Sequence, residues 1–231
     1  MGRSEAKKDS RDSPFVQPDT SAPRPVLMVL AGVNGAGKSS IGGHLLTQAH
    51  TAWFNPDTFA RALVRQYGYA PQEANIAAWN EGVRRLDEAL ANRATHAFET
   101  TLGGHTIVKK LIGAAATHDV MMWFCGLRDA DQHIERVRLR VQQGGHDIPE
   151  DRIRERCQTS VLNLLTLMPH LTQLRVYDNS VEVAAGDAVP EPRLVLHTRR
   201  GERVFPRTLV QARATPEWAK PIVEAAYQRL V

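Results

Sequence analysis

Cysteine is scarce: the chain has two in 231 residues, Cys125 and Cys157. Two thiols make neither the disulfide framework of a small secreted fold nor a structural zinc site. Cys125 lies in an apolar run and reads as a small buried residue. No apolar run reaches membrane-spanning length, and the first 24 residues lack the apolar stretch of a signal peptide. There is no internal repeat, no aromatic cage and no Ser/His/Asp order that suggests a hydrolase. His105 and His146 each follow a Gly-Gly pair but join no ligand cluster, so they read as local hydrogen-bonding residues, and no protein-only metal site is expected. These absences lead to the expectation of a cytoplasmic chain with reduced thiols and no membrane contact.

What is present fits one α/β domain with appendages. A hydrophobic content of 42% is enough for a single substantial core. Residues 1–24 are polar, rich in charge, Pro and Ser, and without periodicity, so they read as a disordered tail ahead of a domain over 25–231. From Pro25 strand-like and helix-like stretches alternate. Strands are expected at Val26–Ala31, Ala52–Phe54, His96–Thr100, Val120–Leu127 and Leu174–Tyr177. Helices are expected at Ser39–Ala49, through Ile76, Trp79, Val83, Leu86 and Leu90, at Ile107–Ala116, Ala130–Gln143 and Glu150–Leu167. This alternation predicts a parallel sheet with helices on both faces, a three-layer αβα arrangement. Leu194–Thr198 and Glu202–Phe205, around Arg199-Arg200-Gly201, predict a β-hairpin appended to that core, followed by a C-terminal helix within 190–231.

Residues 32–39 read G-V-N-G-A-G-K-S, a complete phosphate-binding loop between a buried strand and an amphipathic helix. In that setting successive backbone N–H groups curl around a phosphate, and the helix N-terminus adds partial positive charge. Gly32, Asn34, Gly35, Ala36, Gly37, Lys38, Ser39 and Ser40 therefore form the expected nucleotide-binding set. Lys38 can reach the β- and γ-phosphates, and the Ser39 hydroxyl can ligate Mg²⁺. The loop predicts that a nucleoside triphosphate is bound.

Ligands of an open parallel sheet sit beyond the carboxyl ends of the strands. Those ends supply the loop, Asp57, Glu99 with Thr100 and Thr101, and Asp178 with Asn179. Asp57 fits the group that accepts a proton from an attacking hydroxyl, but Asn-Pro-Asp is also good helix-capping chemistry. Glu99 fits a substrate-orienting or metal-water role, or an ion pair with an arginine at the rim.

From Arg128 to Arg156 run seven arginines and seven acids, with Gly144-Gly145 between two helices. They fit solvent-exposed helices with i, i+4 ion pairs, or a lid over 128–156 that brings arginines to a γ-phosphate and excludes water. Residues 193–213 carry six arginines against Glu202. No aromatic interleaving or recognition helix accompanies them, which favours a solvated basic hairpin, or a surface facing the anionic nucleotide, over nucleic-acid contact.

The ordered set GVNGAGKSS, FNPDTFAR, FETTL, RVxxGGHxIPEDxIxxR (Arg140 to Arg156) and VYDNS resembles the zeta toxin family, P-loop kinases whose short bacterial members share this layout. The likeness covers Val26 to Ser180. It implies a small-molecule-kinase fold and ATP- and Mg²⁺-dependent phosphorylation of a sugar hydroxyl, with UDP-N-acetylglucosamine as acceptor. It also implies a monomer whose partners are ATP, a nucleotide sugar and an antitoxin protein. Carried onto this chain, Lys38 and Ser39 serve the phosphates and Mg²⁺, and Asp57 is the base. Arg61, Glu99, Thr100 and Thr101 meet the acceptor, and Arg140 and Arg156 are lid arginines. Two other functions keep the same loop: a kinase of another nucleotide, dinucleotide or nucleic-acid hydroxyl, and a nucleotide-gated interaction protein without phosphotransfer.

Overall fold

In the computed structural model of the chain, residues 23–38, 53–145, 147–182 and 190–228 are described. Strand β1 (Val26–Ala31) shows why the sheet is covered on both sides. Leu27 and Val29 on one face and Leu30 on the other are all buried, and the strand has parallel neighbours at both edges. Among the described residues the strands are β1, β2 (Trp53–Phe54), β3 (His96–Thr100), β4 (Asp119–Gly126), β5 (Gln173–Asp178), β6 (Arg193–Arg199) and β7 (Glu202–Phe205). They lie in the order β2-β3-β1-β4-β5-β6-β7. The first five run parallel, as the alternation predicts.

The expected hairpin forms, as β6 and β7, and it joins the core as an extension of the sheet: β6 pairs antiparallel with β5. Val195 and Leu196 are buried there, so the edge of β5 is paired and its apolar face is extended by the same residues. The sheet is therefore mixed.

Helices α1 (Pro56–Tyr67), α2 (Pro71–Ala91), α3 (His105–Ala114), α4 (Ala130–Gln142), α5 (Glu150–Leu167), α6 (Leu209–Arg213) and α7 (Lys220–Gln228) connect and cover the strands. The helix expected over Ser39–Ala49, Ala52, and most of the expected tail lie outside the described residues, as do Ser39, Ser40 and His146. One core joins Leu27, Val29, Phe98, Met122 and Val176 of the sheet to Leu111 of α3, Leu164 of α5 and Ile222 of α7.

The periodic face read along α2 is only partly buried. Leu86 is fully covered, yet Ile76 and Trp79 are 57% and 51% exposed. Ala74 and Ala78 instead face Ala60 of α1. Alanines let the two helices approach closely, which turns the larger side chains outward.

Helices α4 and α5 carry their own small core. Ile134, Val137 and Ile153 pack with Ile148 and with Val33 of the phosphate loop. Their ion pairs include bridges between helices. Arg154 meets Asp131 at 2.6 Å, and Arg138 meets Glu150. These pairs are exposed and contribute at most about 1 kcal/mol each, so the buried apolar seam holds the two helices together and against the loop.

Candidate functional site

The chain leaves β1 toward β2 and β3 on one side and later passes to β4 and β5 on the other. The crevice at the carboxyl end of β1 is thus where the sheet's order reverses, and the phosphate loop occupies it. Gly37 has φ +81°, and a Cβ there would lie 2.3 Å from Asn179 Nδ2. The close approach has a purpose: Asn179 Nδ2 donates to Ala36 O at 3.0 Å, which ties the loop to the end of β5.

Lys38 is buried and its Nζ lies 3.2 Å from Glu99 Oε1, with a second contact to Val33 O at 3.3 Å. Glu99 Oε2 accepts from Asn55 Nδ2 at 2.8 Å. Burial raises the pKa of Glu99, and the Lys38 ammonium opposes that rise. The partner of Glu99 is therefore the loop lysine and not an arginine at the rim. Sequence alone could not show this, because residues 38 and 99 are joined only by the parallel pairing of β1 with β3.

Asn55 also decides the ambiguity at Asp57. Its Oδ1 accepts from Thr58 N at 3.0 Å, so Asn55 is the N-cap of α1 and Pro56 opens the helix. The capping role predicted as one option for Asp57 is taken by its neighbour. Asp57 stands in the first turn with its carboxylate 41% exposed, 3.8 Å from Arg140 Nη1. Arg140 comes from the end of α4, and Gly145 folds back on it: a Cβ at Gly145 would lie 2.6 Å from Arg140 Cγ.

Arg156, from α5, donates to Asn34 Oδ1 at 2.7 Å, and burial lowers its pKa while Asp57 opposes the shift. Both arginines singled out in the sequence thus reach the loop or Asp57. Arg61 turns aside: its Nη2 meets Thr58 Oγ1 at 3.1 Å and it lines a neighbouring hollow with Gly144 and Gly145.

After β3 the chain turns through Leu102, a fully buried leucine with φ +55°. A leucine in the left-handed region costs about 1–3 kcal/mol and persists only where its surroundings fix it. Two side chains of α5 do so. Ser160 Oγ donates to Thr101 O at 2.6 Å, and Asn163 Nδ2 donates to Leu102 O at 2.8 Å. Thr100 Oγ1 accepts from Leu102 N at 3.0 Å. Arg156, Ser160 and Asn163 lie four and three residues apart, one stripe along the helix. The helix that holds Asn34 therefore also holds the Thr100–Leu102 turn.

His133 is a further residue that sequence reasoning missed. Its Nδ1 lies 2.8 Å from the Asn34 carbonyl, which can only accept, so the ring donates there. Burial pushes its pKa down to about 4, opposed by that hydrogen bond and aided by Lys38 and Arg136. Asp178 proves structural: it accepts from Trp218 Nε1 at 3.0 Å and lies 3.4 Å from Arg193. Arg203 stacks over Tyr227, so two of the basic-segment arginines have internal partners.

A cleft of about 350 Å³ opens in front of the loop, and Asn34, Lys38, Asp57, Glu99, Thr100, Thr101 and Arg156 all line it. Phe54, Trp79, Val83 and Ile107 form its apolar side. Among the described residues, no group of three or more His, Cys, Asp or Glu could hold a metal ion, and no helix is long and apolar enough to cross a membrane. Both cysteines are free.

No family model and no curated protein matches the chain. Solved structures do. A chain of the AvrRxo1-ORF1:-ORF2 complex with ATP superposes with a TM-score of 0.59 at 16% identity, covering 84% of this chain and 64% of that one. The same complex with sulphate ions gives 0.57 at 15% identity, covering 84% and 65%. A chain of the PezAT chromosomal toxin-antitoxin system of the human pathogen Streptococcus pneumoniae gives 0.54 at 15% identity, covering 93% and 89%. The chain thus spans just under two thirds of these two AvrRxo1 chains and most of the PezAT chain, and with them it shares its αβα fold.

Proposed function

We propose that the chain is an ATP- and Mg²⁺-dependent kinase that phosphorylates a sugar hydroxyl of a nucleotide sugar, with UDP-N-acetylglucosamine the first candidate. One observation carries the reading. A single cleft holds the loop lysine on one side and an accessible Asp57 carboxylate on the other, with Arg156 of α5 in its wall and Arg140 of α4 3.8 Å from Asp57. Phosphoryl transfer needs little beyond this: an in-line acceptor, positive charge around the transferring group, and a base for the hydroxyl proton.

Lys38 and the loop amides hold the phosphates. Arg140 and Arg156 lie where they can balance charge on the equatorial oxygens. Asp57 takes the proton from the acceptor hydroxyl, and Arg61, Glu99, Thr100 and Thr101 orient the acceptor. Mg²⁺ suits a site whose donors are hard oxygens: phosphate oxygens and the hydroxyl of Ser39, which lies outside the described residues. Held there, it would supply positive charge to offset that on the transferring group. The toxin-antitoxin character of the PezAT structure supports an antitoxin as a protein partner of this chain as well.

The test is direct. The protein is incubated with Mg²⁺, ATP and UDP-N-acetylglucosamine, and the products are followed by ³¹P NMR and mass spectrometry, with a metabolite extract as a parallel acceptor pool. A phosphorylated nucleotide sugar is expected, and it should vanish in Asp57→Ala while ATP binding persists. Full transfer by Asp57→Ala removes the base assignment. A product formed only from another extract component replaces the acceptor, and no product from either pool overturns the kinase reading.

A further inference from the structure

The two faces of the sheet are not equally covered. Val120, Met122 and Phe124 of β4, with Leu174 and Val176 of β5, point into the main core, which side chains of α2, α3, α5 and α7 complete. The alternate positions Met121, Trp123, Arg175 and Tyr177 face the other way and are only partly buried. Strand register sets three polar side chains of that face in a row. Trp123 of β4 pairs with Arg175 of β5, and Arg175 pairs with His197 of β6.

Each of the three holds a buried nitrogen without a hydrogen-bond partner among the described residues: Trp123 Nε1, Arg175 Nε and His197 Nε2. The arginine differs from the rest of its kind. Five of the described arginines are partly buried, and four of them have a partner. Arg136 donates to Val181 O, Arg140 faces Asp57, Arg156 donates to Asn34 and Arg203 donates to Pro206 O. Among the described residues, the fifth, Arg175, has neither an acid nor an acceptor. Burial and the charges of Arg175 and Arg199 push the His197 pKa down, so positive charge is crowded here. Like charges facing each other across strands repel, and a buried donor left unpaired is costly. With Met121 and Trp123 at its border, the row suits a carboxylate carried beside an apolar side chain.

The chain carries such a segment close by. Residues 12–22 hold Asp12 and Asp19, no lysine, arginine or histidine, and the apolar pair Phe15-Val16. They lead to Arg24, whose Nε lies 3.3 Å from Asp119 Oδ1 at the start of β4. Trp123 is four positions along that strand and Arg175 one strand across, a separation of roughly 14 Å. The stretch from Asp19 to Arg24 spans up to about 17 Å when extended. We propose that residues 12–22 dock across this face, with Asp19 paired to Arg175 and His197 and with Phe15 against Met121 and Trp123. One aspartate offers two oxygens, enough acceptors for the guanidinium and the imidazole. The docking needs no nucleotide and is independent of the kinase reading.

Hydrogen exchange of the full chain, read by mass spectrometry, tests the docking. In wild type the amides of 12–22 should exchange at least about tenfold more slowly than in a free peptide of the same sequence. Asp19→Asn and Arg175→Gln should each abolish that protection, and the charge swap Asp19→Arg/Arg175→Asp should restore it. Asp19→Asn changes no core residue, so it tests the pairing even where Arg175→Gln weakens the fold. Exchange at the peptide's rate in wild type overturns the docking and leaves the tail as its composition reads. Protection kept by either single variant overturns the pairing of Asp19 with Arg175. Protection that rises with protein concentration, together with a dimer in sedimentation, gives the face to a second copy and overturns docking within one chain.

Discussion

His133 makes stability depend on pH through a contact with the phosphate loop. Its imidazole is 3% exposed, and burial pushes its pKa from 6.5 down to about 4. The unfolded chain takes up this proton near pH 6.5, whereas the folded chain resists until about pH 4. Between those values the unfolded state binds more protons. The free energy of unfolding therefore rises with pH through this window, and the contribution is lost as pH falls from about 6.5 to about 4. At about 1.36 kcal/mol per pH unit, an interval of roughly 2.5 corresponds to about 3 kcal/mol. A domain with about 5–15 kcal/mol in total would feel that loss.

The assay is urea unfolding of wild type and His133→Gln from about pH 7 down to about pH 4.5. The glutamine amide can still donate to the Asn34 carbonyl but takes no proton. The wild-type curve should fall more steeply than the variant's, by up to about 3 kcal/mol across the window. His96, His118 and His197 are also shifted down by burial, but they are present in both proteins and cancel in the difference. Parallel curves would refute the reasoning.

Three further outcomes follow from the geometry. Glu99→Gln leaves Lys38 buried without its counter-ion and should lower stability by about 3 kcal/mol; ATP should restore part of it, so the ATP-induced rise in Tm should exceed that of wild type, and an equal rise refutes the pairing. Asn163→Ala removes the donor to Leu102 O and should cost about 1–3 kcal/mol. It should also raise the acceptor KM with little change in ATP affinity, whereas equal changes in both would reduce Asn163 to a packing residue. Gly37→Ala forces a side chain into φ +81° and against Asn179, so it should weaken ATP binding by at least about tenfold, about 1.4 kcal/mol; wild-type affinity would show that the loop is freer than its bond to β5 implies.

Much of the site was legible because its signals are local. The phosphate loop is a contiguous string, and the strand–helix alternation that frames it follows from period and apolar runs. Asp57, Glu99, Thr100 and Thr101 could be placed at strand ends because parallel sheets put ligands there. Other features are pairings between residues far apart in sequence. The α2 periodicity could not show that Ala74 and Ala78 would take the buried face, because that depended on the small residues of α1 opposite. The hairpin read as an appendage because a two-stranded pattern does not reveal which edge it will join.

The sequence by itself determined the phosphate loop, the αβα class and the chemistry available at the strand ends, since each is written in neighbouring residues. Only the tertiary structure decided that Glu99 would face Lys38, and that Asn55 would cap α1 and leave Asp57 free of that task. It alone decided that His133 and Arg156 would hold Asn34 from two helices, and that Arg61 and Arg65 would share a hollow beside Asp57. The physical reason is the same throughout. Burial, charge balance and hydrogen-bond partnership belong to pairs of groups brought together by strand order and helix packing, and no single stretch of chain contains both members.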